Sequence, residues 1–213
     1  MKTSVAILGS GTVAQTLAKG FADLGHTVTI GTRTPSKLAA FQAQTPVAVD
    51  SFERAAAKSD LVVVAVKGTA AESVVASVAP FLSGKVVIDT TNPIADEPPD
   101  HGVIRFFTGP NDSLMERLQK AAPEARFVKA YNSVGSPFMI HPAFPQGRPT
   151  MFICGNDADA KGTVAALLEG FGYNPEDVGF VESARALEPL CQLWCAPGFL
   201  RNEWNHAFAL YKL

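Results

Sequence analysis

The sequence lacks several features that would place it in common protein classes. Its 213 residues include only three cysteines, so no disulfide framework is predicted. The longest purely apolar run, 61–66, is far too short to span a bilayer. With 18 basic and 20 acidic residues, no excess of positive charge favours nucleic acid or an anionic membrane as a partner. No basic-then-apolar signal segment opens the sequence, and we therefore expect a cytoplasmic protein.

The cysteines offer one alternative interpretation. Cys191 and Cys195 are four residues apart on a predicted apolar helix, a spacing that can in principle hold a metal ion. No histidine pair or acidic cluster lies close to them in sequence. We therefore expect no metal site, and we interpret these two residues and Cys154 as reduced thiols that pack like small apolar side chains.

The most informative segment that is present lies near the start of the chain. Residues 4–8 are mostly apolar and predict a buried strand, and Thr12–Leu24 predicts an amphipathic helix. Between them, Gly9 would allow a tight turn and Gly11 would let the backbone approach a pyrophosphate. Ala14 stands where the third, helix-packing residue of G-x-G-x-x-G/A is expected. Strand, glycine turn and helix together predict dinucleotide binding at the positive end of that helix.

Strand and helix patterns then alternate along the chain, which predicts an α/β fold: a doubly wound, mostly parallel Rossmann sheet with a small helical C-terminal lobe. The continuous apolar run Leu61–Val66 is typical of a central strand that is covered on both faces. Further strands are predicted at Thr27–Ile30, Val47–Val49, Lys85–Asp89, Arg126–Ala130, Thr150–Cys154 and Val178–Val181. Further helices are predicted at Pro35–Ala43, Ser51–Lys58, Ala70–Leu82, Ser113–Ala122 and Asp157–Gly170.

The sequence predicts one compact unit in two parts. Residues 1–182 form the dinucleotide-binding domain, and residues 183–213 form a helical tail packed on it, as one helix or as two broken near Pro197-Gly198. The larger hydroxyacid and imino-acid reductases continue into a long helical second domain, for which this tail is too short. A second ligand would therefore dock on the Rossmann domain itself.

The end of the second strand indicates which dinucleotide binds. An NAD site normally has an acidic residue there, whereas this chain has Thr32 and Arg33, with Lys37 close behind. A carboxylate would repel a 2′-phosphate, and an arginine fork with a second positive charge would attract it. The alternative is that Arg33 and Lys37 merely solvate a loop, but the missing acid favours NADP(H).

Two later loops follow central strands at the edge where ligands bind in open sheets. Ala65 and Val66 could place backbone against the dinucleotide, and Asn92 could hydrogen-bond a ribose or the nicotinamide. Pro93 would stiffen that turn, although Thr-Asn-Pro is also an ordinary turn sequence.

Four segments in this order resemble the F-420:NADP oxidoreductase family, the NADPH-dependent reductases of a deazaflavin, in its bacterial branch. They are Gly9–Ala14, Ile30–Arg33, Asp89–Pro93 and Lys129–Ser133, the last being the most telling. The resemblance implies hydride transfer between NADP(H) and a flat second ligand, F-420 or a flavin, in a homodimer. It places Thr12 and Val13 on the phosphate loop, Thr32, Arg33 and Lys37 at the 2′-phosphate, Val66 and Asn92 beside the dinucleotide, and Asn132 beside the nicotinamide.

Other functions stay open at this point. Reduction of a small carbonyl or imine would need a general acid, for which Lys129, Tyr131, His141 and His206 are weak candidates. In its nucleotide loops the chain also resembles the NADPH module of transmembrane haem ferric reductases. A non-catalytic NADP(H)-binding or electron-donor module is therefore a third hypothesis.

Overall fold

The computed structural model of the protein describes residues 2–213, and it contains a six-stranded, fully parallel sheet. The strand order is β3-β2-β1-β4-β5-β6, so the predicted doubly wound fold is confirmed. The strands of this sheet are β1 (Ser4–Leu8), β2 (Thr27–Gly31), β3 (Ala48–Asp50), β4 (Leu61–Val64), β5 (Val86–Asp89) and β6 (Arg126–Lys129). The helices are α1 (Thr12–Asp23), α2 (Ala39–Gln42), α3 (Phe52–Ala57), α4 (Gly68–Val78), α5 (Leu114–Ala121), α6 (Ala158–Gly170) and α7 (Ala184–Arg201).

The sheet is buried on both faces because alternate residues of each strand enter different cores. Val5 and Ile7 of β1 pack in one core, to which α1 and α6 contribute. Ala6 and Leu8 pack in the other, together with α3, α4 and α5. The chain order reverses between β1 and β4, so the loops that follow these two neighbouring strands form a crevice at the carboxyl edge.

A separate pair of parallel strands lies beside β6. β7 (Thr150–Ile153) pairs with β8 (Asn174–Asp177), and a single bridge between Lys129 and Cys154 connects them to the main sheet. The prediction of a last strand at Val178–Val181 is wrong by four residues. β8 contains a proline and two acids, which have low strand propensity, so its pairing depends on the position that α6 gives it.

The tail forms one long helix rather than two. α7 runs through Pro189 and Pro197 without a break and ends at Arg201, and the next residue, Asn202, has a φ of 56°. Residues 203–213 then turn back along β7, where the Thr150 amide donates to the Phe208 carbonyl at 2.9 Å. The division at residue 182 stays a prediction. Within residues 2–213, every helix is too short or too polar to cross a membrane.

Candidate functional site

The glycine turn between β1 and α1 leaves no room for a side chain at its first position. Gly9 has a φ of 139°, and a Cβ built on it would lie 2.2 Å from the Ala65 carbonyl oxygen. Gly11, the residue that precedes α1, differs, since a Cβ there would meet nothing within 4 Å. Ala14 is fully buried and packs the helix on the sheet. The protein therefore requires glycine at position 9, and the open space above Gly11 fits a group that approaches the start of α1.

That space is the middle of a continuous crevice. A first cleft of about 440 Å³ extends from Gly9–Gly11 past Thr32 and Arg33 to α3 and α4. A second cleft of about 360 Å³ extends from the start of α1 past Thr90–Asn92 to Ile94. Both are lined by Gly11 and by residues 65–67. The crevice therefore brings together predicted site residues from four separate loops, namely Gly9, Gly11, Thr12, Val13, Thr32, Arg33, Ala65, Val66 and Asn92.

The outer part of the first cleft is lined by Thr32 and by two charged side chains, Arg33 and Glu53. Thr32 is nearly buried, its amide donates to the Asp50 carbonyl at 3.0 Å, and its hydroxyl accepts from the Thr34 amide at 3.3 Å. These bonds hold the turn that presents Arg33. Neither Arg33 nor Lys37 forms an ion pair with any of residues 2–213, and both side chains are exposed. Lys37 lies outside the cleft lining, four residues after Arg33, in a short 3-10 helix at Pro35–Leu38.

Asn92 and Asn132 form a chain of hydrogen bonds next to the second cleft. The Asn92 Nδ2 donates to the Asn132 carbonyl at 2.8 Å, and the Asn132 Nδ2 donates to the Leu187 carbonyl at 2.6 Å. Asn92 Oδ1 is buried and has no partner among the described residues. Asn132 is nearly buried and does not line either cleft. Asn92 therefore lines the second cleft while its Oδ1 stays buried, and the Asn132 carbonyl holds its amide nitrogen.

Three of the candidate acids lie away from both clefts. Tyr131 is buried with a φ of 63°, its hydroxyl has no partner among the described residues, and burial raises its pKa. His141 packs beside Phe171. His206 stacks on Trp194, and its Nε2 lies 2.9 Å from the Trp194 carbonyl.

Lys129, the fourth candidate, is fully buried in an ion cluster. Its Nζ lies 2.6 Å from the Asp89 carboxylate and 3.2 Å from that of Glu188, and it donates to the Thr91 carbonyl at 2.9 Å. Burial by itself lowers the pKa of Lys129, but the two carboxylates outweigh it and raise that pKa to about 12. Burial also raises the pKa of Glu188. This cluster lies next to Asn92 without reaching the cleft.

Two residues that sequence reasoning did not single out also shape the crevice. Lys67 lines both clefts and forms an ion pair with Asp96 on the loop after β5. Gly68 packs so tightly on that loop that a Cβ would lie 1.9 Å from the Asn92 carbonyl oxygen. The dipeptide Lys67-Gly68 has no local sequence pattern that predicts the ion pair or the tight packing. Both contacts form because the loops after β4 and β5 lie next to each other in the fold.

Comparison with known proteins agrees with this geometry. A family described as NADP oxidoreductase, coenzyme F-420-dependent, matches residues 4–93. The crystal structure of a candidate F-420-dependent NADP-reductase from Arthrobacter sp. FB24 shares 34% sequence identity, with a TM-score of 0.90. That match covers 99% of this chain and 100% of the other.

More distant similarities extend to larger proteins. Metalloreductase STEAP3 of Rattus norvegicus is 30% identical over 186 residues, which are 87% of this chain and 36% of that protein. The chain thus spans well under half the length of the curated relatives that it matches. A reductive aminase from Aspergillus terreus, solved with NADPH and ethyl-5-oxohexanoate, shares 22% identity with a TM-score of 0.66. The match covers 91% of this chain and 61% of the aminase, and at that identity it concerns the fold alone.

Proposed function

This chain belongs to the family of coenzyme F-420-dependent NADP oxidoreductases, and from that premise we propose that it transfers hydride between NADP(H) and a flat, cofactor-like acceptor. The observation that carries the proposal is the continuous crevice over the start of α1. It has room for phosphate above Gly11, the exposed Arg33 in one cleft and Asn92 in the other.

The start of α1 and the loop after β2 would bind the phosphates of the cofactor. The first amides of α1 lack partners within the helix, and its first turn carries no acidic residue to repel an anion. A pyrophosphate would lie above Gly11, where a methyl group would obstruct it. Arg33 would pair with a 2′-phosphate, with Thr32 and Lys37 as further donors.

Asn92 would contact the nicotinamide end of the cofactor. Its amide nitrogen is already used by the Asn132 carbonyl, so its oxygen, which is buried and has no partner among residues 2–213, is the group that a ligand would have to reach. The carboxamide of a nicotinamide or a ribose hydroxyl would supply the missing donor. Val13 and Val66 would flank the ring, and Pro93, which is buried behind Asn92, would hold the turn.

The proposed acceptor class is supported by the small number of ionisable side chains at this end of the crevice. Among residues 2–213, the second cleft is lined by one ionisable side chain, Lys67, which is paired with Asp96. NADPH itself supplies the hydride when it is bound. A flat cofactor such as F-420 or a flavin stacks in place and needs only positioning and exclusion of water from the protein. Because Lys67 is paired with Asp96 and the described lining has no other ionisable side chain, the cleft favours such an acceptor over a carbonyl or an imine.

A second candidate function is that of an NADPH-binding electron-donor module. The similarity to a metalloreductase of which this chain matches only 36% favours it. In that role the hydride would pass to a flavin and the electrons onward to a partner protein. NADPH-dependent reduction of a ferric chelate, with and without added FAD, would distinguish this function.

The decisive experiment is a single-turnover assay of the full chain with NADPH and separate acceptors: F-420, FMN, FAD and a panel of carbonyls and imines. We expect oxidation of NADPH with at least one of the three flat acceptors and none with the panel. Turnover of the panel alone would overturn the proposal. Tight NADPH binding without hydride loss to any acceptor would instead favour a non-catalytic module.

The protein is also proposed to be a homodimer. The exposed side chains of Leu193, Phe199 and Leu200 on α7 are the candidate contact surface. Light scattering on the eluting protein would give its mass, and a monomer at micromolar concentration would contradict this proposal.

A further inference from the structure

A closed ring of hydrogen bonds lies directly behind the second cleft. It joins three segments: Thr91-Asn92 after β5, residues 129–132 after β6, and Leu187-Glu188 of α7. Asn92 donates to the Asn132 carbonyl, and Asn132 donates to the Leu187 carbonyl. Lys129 lies 3.2 Å from Glu188 and donates to the Thr91 carbonyl, which closes the ring. We call this set the positioning ring.

The ring leaves its side chains little freedom. The Lys129 ammonium has three hydrogens and three partners, namely the Thr91 carbonyl and the carboxylates of Asp89 and Glu188. Asp89 Oδ1 in turn accepts from the amide of Thr91 at 2.9 Å and from its hydroxyl at 2.6 Å. The backbone just before Asn92 is therefore held on both sides. Because the Asn92 amide nitrogen is also committed, the direction of its Oδ1 is fixed by the ring.

Glu188 connects the ring to a second element. Its two carboxylate oxygens accept from the backbone amides of Leu114 and Met115, both at 3.0 Å, at the start of α5. It is 1% exposed, and Lys129 is fully buried, so neither side chain can touch a ligand in the crevice. Any influence on a ligand must act through Thr91 and Asn92, the members of the ring that line the second cleft.

We propose that Lys129 and Glu188 are positioning residues for the nicotinamide half of the cofactor. Through the positioning ring they hold the side chain of Asn92, a residue that lines the second cleft. The inference rests on the proposed function, since it requires NADP(H) to lie in the crevice. It assigns the C-terminal helix, which lines neither cleft, a part in cofactor binding.

A merely structural ion cluster would behave differently. Buried ion pairs often contribute little to net stability, and breaking one destabilises a fold without favouring either half of a ligand. A purely structural role therefore predicts equal effects on every ligand of the crevice, whereas a positioning role predicts an effect confined to the nicotinamide end.

Two probes separate these cases: NADPH, and adenosine 2′,5′-bisphosphate, which carries the 2′-phosphate but has no nicotinamide. In Glu188→Gln one carboxylate oxygen becomes an amide that cannot accept from the α5 amides or from Lys129. We expect the Kd for NADPH to rise about five- to tenfold, the effect of one weakened hydrogen bond, and the Kd for the bisphosphate to stay within twofold. Calorimetry on the full chain measures both.

Arg185→Gln is the matched control. It lies three residues before Glu188 and also ties α7 to α5, through Glu116, but it takes no part in the positioning ring. It should change neither Kd. Lys129→Met is the stronger variant but leaves two carboxylates unpaired, so its folding is checked by circular dichroism first. Where it folds, the same selective loss is expected, together with a lower kcat for the acceptor that the wild type uses.

Different binding results would overturn the positioning role and the proposed function. Equal losses for both probes in Glu188→Gln, or no loss for either, would overturn the positioning role while leaving NADP(H) binding intact. A wild-type chain that binds neither probe would contradict the proposed function itself.

Discussion

Gly9 and the Ala65 carbonyl oxygen are so close that a single added carbon atom would lie 2.2 Å from that oxygen. This contact joins the first turn of the sheet to the loop after β4, and it sets the floor of the crevice. Gly11, two residues later, faces open space instead. The same two-glycine motif therefore serves two different physical needs, and the two substitutions below separate them.

Gly9→Ala should destabilise the protein and Gly11→Ala should not. At position 9 the methyl group meets backbone at a positive φ, so we expect the free energy of unfolding to fall by about 3 kcal/mol. At position 11 the change should stay within about 1 kcal/mol, while NADPH affinity falls at least tenfold because the methyl group obstructs the phosphate. Urea unfolding and calorimetry measure the two quantities. Unchanged NADPH binding in Gly11→Ala would show that no phosphate lies above that residue.

Arg33→Asp should change which cofactor the protein prefers. The 2′-phosphate would lose a bidentate partner and meet a carboxylate instead, so the Kd for NADPH should rise at least tenfold. The Kd for NADH should change little because NADH has no such phosphate. Lys37→Gln, farther from the cleft lining, should show a smaller shift in the same direction. An equal loss of affinity for both cofactors would rule out Arg33 as the 2′-phosphate ligand.

Tyr131→Phe should leave hydride transfer unchanged. The Tyr131 hydroxyl is buried without a partner among residues 2–213, so removing it relieves an uncompensated desolvation cost. We expect the free energy of unfolding to rise by about 1 kcal/mol, as measured by urea denaturation. A fall in kcat of tenfold or more would instead identify Tyr131 as the general acid of a carbonyl or imine reductase.

The buried cluster should make the protein sensitive to alkaline pH. Lys129 has an ordinary pKa of 10.5, and its two carboxylate neighbours raise that pKa to about 12 in the folded chain. The folded state therefore holds this proton more tightly, so the stabilisation is complete below pH 10.5 and is lost as pH rises toward 12. It amounts to about 2 kcal/mol. Urea midpoints between pH 9.5 and 11.5 should fall more steeply for the wild type than for Glu188→Gln, and parallel curves would contradict this assignment.

The local patterns of the sequence were sufficient for the order of elements in the main sheet. Hydrophobic periodicity and the turn residues act within a few positions of one another, so Leu61–Val64 and the glycine turn are recognisable without knowledge of the rest of the chain. The sequence alone does not predict that α7 continues through Pro189 and Pro197, since each proline by itself favours a break in a helix. β8, with Pro175 and two acids, was misplaced for the same reason.

Local sequence patterns are sufficient to predict the parallel α/β fold, the glycine turn and the lack of an acidic residue after β2. Each of these is a short-range property of the chain. The contact of Glu188 with Lys129, 59 positions earlier in the chain, depends on the folded structure, and so does the buried Asn92 oxygen that has no partner among residues 2–213. Contacts of this kind depend on how α7 packs against the strand ends, and packing is a property of the whole fold that no local pattern records.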